Sequence, residues 1–327
     1  MTRARLVELL ERAKGKRIVV VGDAMLDVYL SGDVDRISPE APVPVVRVRE
    51  RHQALGGAAN VAQNVLAIGA SCDLVAAVGD DRAGESLRSM LERLGVGHSS
   101  LVTVRRATTQ KTRILARSQQ LVRIDEEEDA DLSLEEIAPL LERARDALTN
   151  ADAVVLEDYN KGVLVPEVIG EVIRMAVERS LPIVVDPKYR NFFHYRGATI
   201  FKPNVRELEA ALGAAVDLEH PETMPATLVR LGVEHILLTL GERGMVLFSD
   251  HGEIARVPTV AREVYDVVGA GDTVTAYLAT ILAAGGSATD AAMIANIAAG
   301  IEVGKLGAAT VSGYELLEYT DQHRLSH

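Results

Sequence analysis

Apolar side chains recur in short uninterrupted runs at residues 18–21, 74–78, 153–156, 183–185, 200–201 and 236–239, with stretches of helical period between them. Runs apolar on both faces are what parallel strands require when helices cover a sheet on both sides, and the intervening helices are then the crossovers. The pattern predicts a doubly wound α/β core around a mostly parallel sheet. Residues 31–55 break this rhythm, because Pro39, Pro42 and Pro44 lead into Val45-Val46-Arg47-Val48-Arg49-Glu50-Arg51, whose later part alternates apolar and charged side chains. Alternation marks a strand with one wet face. Residues 101–125 read the same way, with β-branched residues among Thr, Lys and Arg. Both stretches are assigned to a small β-sheet lid that can cover a site or offer an edge to a second copy of the chain. One domain is therefore expected over residues 1–327, with lid segments at about 31–55 and 101–125 inserted in it.

Composition narrows the function classes. Hydrophobic residues at 48% with charged residues at 25% exclude a disordered or fibrous chain. Thirty-five Lys plus Arg against 47 Asp plus Glu gives 35 − 47 = −12, which argues against nucleic acid or an acidic membrane as the main partner. Any anionic ligand must then meet a local positive pocket. A single cysteine, Cys72, and the absence of zinc-ligand spacing point to a reducing, cytoplasmic setting. The N-terminus carries charges throughout and does not resemble a signal peptide. The uncharged stretches 52–72 and 273–289 are interrupted by Gly, Asn and Gln or are too short, and read as buried helices rather than membrane spans. The acidic run at 126–131 reads as a solvated turn.

The strongest chemical signal is Asp266-Val267-Val268-Gly269-Ala270-Gly271-Asp272, followed by an apolar helix. A glycine-rich turn opening a helix leaves its first N–H groups unpaired and aimed at one spot, where the helix dipole adds positive potential. Asp272 in the first turn could be a plain N-terminal cap. Paired with the anion cradle of Gly269, Ala270 and Gly271, it also suits phosphoryl transfer, accepting the proton of an attacking hydroxyl. A second glycine pair, Gly56-Gly57, precedes Asn60 at a helix start, where an amide can serve sugar hydroxyls. The first strand ends in Gly22-Asp23-Ala24-Met25-Leu26-Asp27, and carboxylates beyond the carboxyl end of a parallel strand lie where open α/β sheets bind ligands. That segment is neither GxGxxG nor a GxxxxGK[ST] loop, which disfavours a dinucleotide-binding dehydrogenase and a P-loop enzyme.

Gly56-Gly57 with Asn60, Ala62, Gly69 and Gly79, together with the 266–272 motif, resembles the two signatures of the ribokinase-like, PfkB-type carbohydrate kinases, over nearly the whole chain. The resemblance implies Asp272 as catalytic base and Gly269 to Gly271 as anion hole. It implies Asp27, five residues after Gly22, as a sugar contact. Asn204-Val205-Arg206-Glu207 is similar to the family element that organises Mg²⁺ and the phosphates of ATP, so Mg²⁺ would be held through Asn204 and Glu207, with waters between. Thr239, Gly241 and Gly244 fall in a stretch similar to the nucleotide loop. A monovalent cation near Asp266 and Gly307 is allowed by the resemblance and demanded by nothing in the residues. Tyr277 departs from the small side chain usual at its position, which leaves the packing behind the catalytic helix open.

Within the family, residues 36–45, 111–125, 158–162, 186–188 and 303–307 resemble the D-glycero-D-manno-heptose 7-phosphate kinases of lipopolysaccharide precursor synthesis. These enzymes transfer the γ-phosphate of ATP to the 1-hydroxyl. An acidic protein that binds a sugar phosphate needs placed cations, and Lys111, Arg113, Arg117, Lys161 and Lys188 are the candidates. Lys161 and Lys188 stand out because each follows a buried strand at its ligand-binding end. The chain shows no second nucleotide-binding segment and no HxGH-like motif, so it reads as a separate kinase, with nucleotidyl transfer left to another protein. A homodimer through the β lid is expected from the wet-faced strands. A kinase for another sugar or sugar phosphate is the nearest alternative, and a catalytically idle binding module is disfavoured by the presence of Asp272, Asn204 and Glu207.

Overall fold

The computed structural model describes residues 1–322 except 98–99, 117–118, 262–263 and 306, and gives the backbone alone at 253 and 254. Its strands are β1 (Arg17–Gly22), β2 (Ala24–Ile37), β3 (Pro44–Gly57), β4 (Ser71–Gly79), β5 (Leu101–Val104), β6 (Gln110–Ala116), β7 (Gln119–Glu126), β8 (Ala153–Glu157), β9 (Ile183–Asp186), β10 (Ile200–Phe201), β11 (His235–Thr239), β12 (Met245–Ser249) and β13 (Gly252–Val257). The helices are α1 (Arg3–Ala13), α2 (Ala58–Ile68), α3 (Arg82–Leu94), α4 (Leu134–Leu148), α5 (Pro166–Glu178), α6 (Val205–Leu212), α7 (Met224–Leu231), α8 (Ala270–Ala283), α9 (Ala288–Glu302) and α10 (Gly313–Gln322).

The main sheet runs β13-β12-β11-β10-β9-β8-β1-β4-β5. It is parallel from β11 to β5, and β12 and β13 add an antiparallel edge that the apolar runs did not distinguish. In β1, Ile18 and Val20 pack into one hydrophobic layer with α2, α8 and α9, while Val19 and Val21 pack into the other with α4 and α5. Continuous β-branched sequence is what burial on both faces demands. Strand order reverses between β1 and β8, so the chain leaves the carboxyl ends of β1, β8 and β9 around an open crevice.

The second sheet, β3-β2-β6-β7, is the lid. Its first segment is longer than the alternation suggested, because β2 begins at Ala24 and β3 ends at Gly57. Its second segment is shorter. Leu101–Val104 pairs in parallel with β4 and closes the edge of the main sheet, and the lid resumes at Gln110. Four residues of strand are too few for a period to tell a wet face from a dry one. The lid strands β2 and β6 are parallel, with Asp27 opposite Lys111 and Tyr29 opposite Arg113; Lys111 in turn faces Asp125 on β7, and Arg113 faces Arg123. Side chains two apart share a face, so one face of the lid carries a charged lattice of Asp27, Lys111, Arg113, Arg123 and Asp125. Among the described residues no helix is long and apolar enough to cross a membrane.

Candidate active site

Helix α8 begins at Ala270 behind Gly269, whose φ of 94° lies in the left-handed region that favours glycine. A Cβ there would come within 3.0 Å of the Asn60 side-chain nitrogen and 3.2 Å of a Glu302 carboxylate oxygen, so the turn that aims the first amides of α8 needs glycine for both reasons. Asp272, only 4% exposed, sits in the first turn. It is not the N-cap: no side chain caps α8, and its own carboxylate accepts 2.7 Å hydrogen bonds from the Tyr159 hydroxyl and the Asn60 amide. Asn60 is held in turn by Asn64, whose amide donates to its backbone and side-chain oxygens, and Thr273 donates to Asn64. Burial pushes the Asp272 carboxyl up to about 6 against the hydrogen bonds from Tyr159 and Asn60. The carboxylate is therefore poised to accept a proton near neutral pH.

The two aspartates after β1 have separate jobs. Asp23 accepts backbone N–H bonds from Tyr159, Lys161 and Val163, tying the loop after β8 to β1. Asp27 faces the crevice, paired with Arg113 at 2.5 Å. Gly56 follows from this: a Cβ on it would lie 2.7 Å from an Asp27 carboxylate oxygen. Asp27, Asn60, Lys111, Arg113, Tyr159 and Asp272 line one cavity of about 200 Å³, together with Gly57, Gly269 and Arg123. A larger hollow of about 380 Å³ between Arg3, Tyr314 and Asp321 has no comparable convergence of buried polar groups.

A second cluster lies on the far side of Asp272. Lys202, which precedes Asn204 by two residues, donates to Asp186 at 2.8 Å, and both are buried. Burial opposes ionisation of Asp186, but Lys188 and Lys202 more than offset it and hold the carboxyl below the ordinary aspartate value. Glu157 is fully buried beside them, and burial followed by the charges of Asp186 and Asp272 pushes it well above the ordinary glutamate range. Glu302 is likewise buried; burial, with Asp272 and Asp266 adding, pushes it up to about 8.

The structure places the other residues singled out in the sequence as follows. Lys188 is not with the cavity cations: its ammonium contacts Glu207 at 2.8 Å and Asp186 at 3.4 Å and lies 5.3 Å from the Tyr159 ring centre, on the side of the second cluster. Lys188 follows the end of β9, as the sequence indicated, and its nearest partner, Glu207, comes from another segment. Asn204 and Glu207 form a reciprocal capping box at the start of α6, with bonds of 2.9 and 2.8 Å, so both have a structural task. Val205 packs against the core and Arg206 is exposed. Thr239 bridges to Asn204 and precedes the short turn between Gly241 and Gly244, which brings these two stretches together. Lys161 is paired with Glu127 at 2.8 Å. The acidic run is not a free turn, because Glu127 also contacts Lys111 and Asp129 contacts Arg190. Arg117 and Leu306 lie outside the described residues. Tyr277 is fully buried and its hydroxyl donates to the Val311 carbonyl, so the larger side chain is accommodated behind α8 without an unpaired group. Tyr159, Asp186 and Lys202 were missed although all three lie in or beside stretches singled out by their sequence; the lysines of those stretches drew the attention instead.

A buried carboxylate held beside a helix N-terminus that opens into the same cavity, with cations on the covering sheet, defines a sugar kinase built on the ribokinase-like fold. The chain belongs to the pfkB family carbohydrate kinases, whose family model matches residues 16–313. It is 43% identical over 324 residues to the "Bifunctional protein HldE" of Rhodospirillum rubrum, covering 98% of this chain and 65% of that protein. It is 44% identical over 320 residues to the protein of the same name from Citrifermentans bemidjiense, covering 97% of this chain and 66% of that one. The chain thus spans a little under two thirds of the length of these curated relatives. Among solved structures, phosphofructokinase-2 from Escherichia coli in complex with substrates and products superposes with a TM-score of 0.78 at 18% identity, over 94% of this chain and 99% of that one. Ribokinase of Arabidopsis thaliana complexed with ribose and ATP gives 0.72 at 22% identity, over 93% and 99%.

Proposed function

We propose that the protein transfers the γ-phosphoryl group of ATP to the 1-hydroxyl of D-glycero-D-manno-heptose 7-phosphate, giving the 1,7-bisphosphate used for ADP-heptose and lipopolysaccharide core synthesis. The observation that carries this reading is the meeting of Asp272 with Lys111 and Arg113 around one cavity, which suits an acceptor with a hydroxyl at one end and a phosphate at the other. Whole-chain similarity to proteins named HldE supports the same branch. Asp272 takes the hydroxyl proton while Asn60 and Tyr159 hold the carboxylate in place. The amides at residues 269–271, at the N-terminus of α8, stabilise the charge passing between oxygens. Asp27 and Asn60 meet the sugar hydroxyls.

The ATP phosphates would lie between α8 and the loops carrying Asn204, Thr239, Gly241 and Gly244. Among the described residues no three His, Cys, Asp or Glu side chains form a ready metal site. Mg²⁺ fits this arrangement all the same, because it keeps most of its water and needs only one or two carboxylates beside the phosphates, and Glu207 at the head of the Asn204 turn, with Asp186 beside it, would supply them. When bound it neutralises phosphate charge. A monovalent cation beside Asp266 and Gly307 completes this reading.

Phosphorus NMR of the product formed from heptose 7-phosphate and ATP reports acceptor, position and anomer together. A new anomeric phosphate signal is expected; no reaction with this acceptor, alongside turnover of another sugar in a panel, would reject the assignment.

A homodimer through the lid belongs to the same proposal. Opposite the charged lattice, the lid carries Leu30, Ile114, Val122 and Ile124 on one face by register, and Val122 and Ile124 are each 47% exposed. A second copy would cover them. Light scattering at micromolar concentration is expected to give twice the chain mass, and a monomer would refute the dimer.

A further inference from the structure

We infer that Glu127 occupies the seat of the acceptor's remote phosphate in the ligand-free protein, and that the incoming phosphate must displace it from Lys111 and Lys161. The inference rests on the reading that the acceptor is a sugar phosphate. Glu127 follows the last lid strand, and its carboxylate contacts Lys111 at 2.7 Å and Lys161 at 2.8 Å. These lysines come from different parts of the fold, Lys111 from the lid strand β6 and Lys161 from the loop after β8 on the core. Glu127 is therefore the bridge between them. Lys111 also lines the cavity that holds Asp272.

Both lysine side chains are 14% exposed, against 25% for Glu127. The cations are the enclosed partners and the carboxylate is the one with a way out to solvent. Burial pushes the Glu127 carboxyl up, but hydrogen bonds from the two lysines outweigh it and hold the group ionised, below the ordinary glutamate value. Lys111, Lys161 and Arg123 bring three positive charges, while Asp125 and Glu127 return two, with Asp125 bound to Arg123 at 2.9 Å and to Lys111 at 3.3 Å. An ammonium ion recognises any oxyanion as a point charge. A phosphate monoester carries more charge than a carboxylate at neutral pH and can replace it, whereas an uncharged sugar leaves the bridge closed. Glu127 thus makes the two lysines available to a doubly charged ligand in preference to a neutral one, which sets acceptor specificity at the mouth of the cavity.

The test compares the full-length parent, Glu127→Gln and Lys161→Met for binding of inorganic phosphate, with a non-hydrolysable ATP analogue present to occupy the anion hole. Glu127→Gln is nearly isosteric and removes only the competing charge. It is expected to bind phosphate roughly fivefold more tightly, the scale of a partly exposed ion pair or two, and to lower KM for the phosphorylated sugar with little change in kcat. Lys161→Met is expected to weaken phosphate binding. Unchanged or weaker binding in Glu127→Gln would overturn the inference and make Glu127 a support that positions the lysines. Because the probe is inorganic phosphate, this result stands whichever sugar is turned over, so failure of the heptose assignment and failure of the Glu127 role are read separately.

Discussion

Replacing Asp272 by Asn is expected to lower kcat by roughly 10²–10⁴, the usual contribution of a positioned general base, while ATP binding and folding persist. Folding persists because of how the carboxylate is held. Its two oxygens accept from Tyr159 and Asn60. In the variant the new amide oxygen can accept from Asn60, and the new NH₂ can donate to the Tyr159 hydroxyl, which turns from donor to acceptor. No buried polar group is stranded. The parent has a further signature. Burial raises Asp272 to about 6, and a base acts only when ionised, so kcat/KM should fall as pH drops through that value and be level above it. The Asn variant has no ionisable group there and should lack that acid limb. Steady-state kinetics on both proteins decides the matter; a variant with more than about a tenth of parental kcat would remove Asp272 from the role of base.

Lys202→Met should cost about 3 kcal/mol of folding stability, at the lower end for breaking a buried ion pair. Lys202 and Asp186 have side chains only 4% and 6% exposed, 2.8 Å apart. Removing the ammonium leaves the Asp186 carboxylate in a dry site beside Glu157, with Lys188 at 3.4 Å as its remaining cation. The loss should depend on pH. Asp186 is held below the ordinary value in the folded protein, so its pairing contributes above the unfolded-state pKa and is lost as pH falls through the folded one. The gap between parent and variant should therefore narrow below about pH 4. Urea unfolding at neutral and acid pH measures both. A neutral-pH difference under about 1 kcal/mol, the size of an exposed pair, would mean that water reaches the pair.

Local chemistry was the legible part of the site. Gly269 and Asp272 could be assigned from sequence because a helix start arranges its own amides, whatever lies around it. Asp27 was separable from Asp23 only through family spacing. In the structure Asp23 accepts from three backbone amides, whereas Asp27 lines the cavity and pairs with Arg113. Lys188 and Lys161 were recognised as strand-end cations, but the partner of each comes from a distant segment, Glu207 for one and Glu127 for the other. Nothing in the order of residues announces those pairings. Tyr159 illustrates the same limit. It lies in a stretch that stood out, yet its role as a hydrogen-bond donor to Asp272 depends on two segments separated by 113 residues.

By itself, the sequence determined the doubly wound core, the existence of a wet-faced second sheet and the glycine turn that opens α8, because periodicity of burial and the geometry of a helix start are properties of neighbouring residues. Tertiary structure alone decided which carboxylate meets which cation. It moved Leu101–Val104 from the lid to the main sheet, turned an acidic run into a bridge between lid and core, and set Lys202 against Asp186. The physical reason is that charge interactions depend on distance and burial, and both are settled only when segments far apart in the chain are packed together.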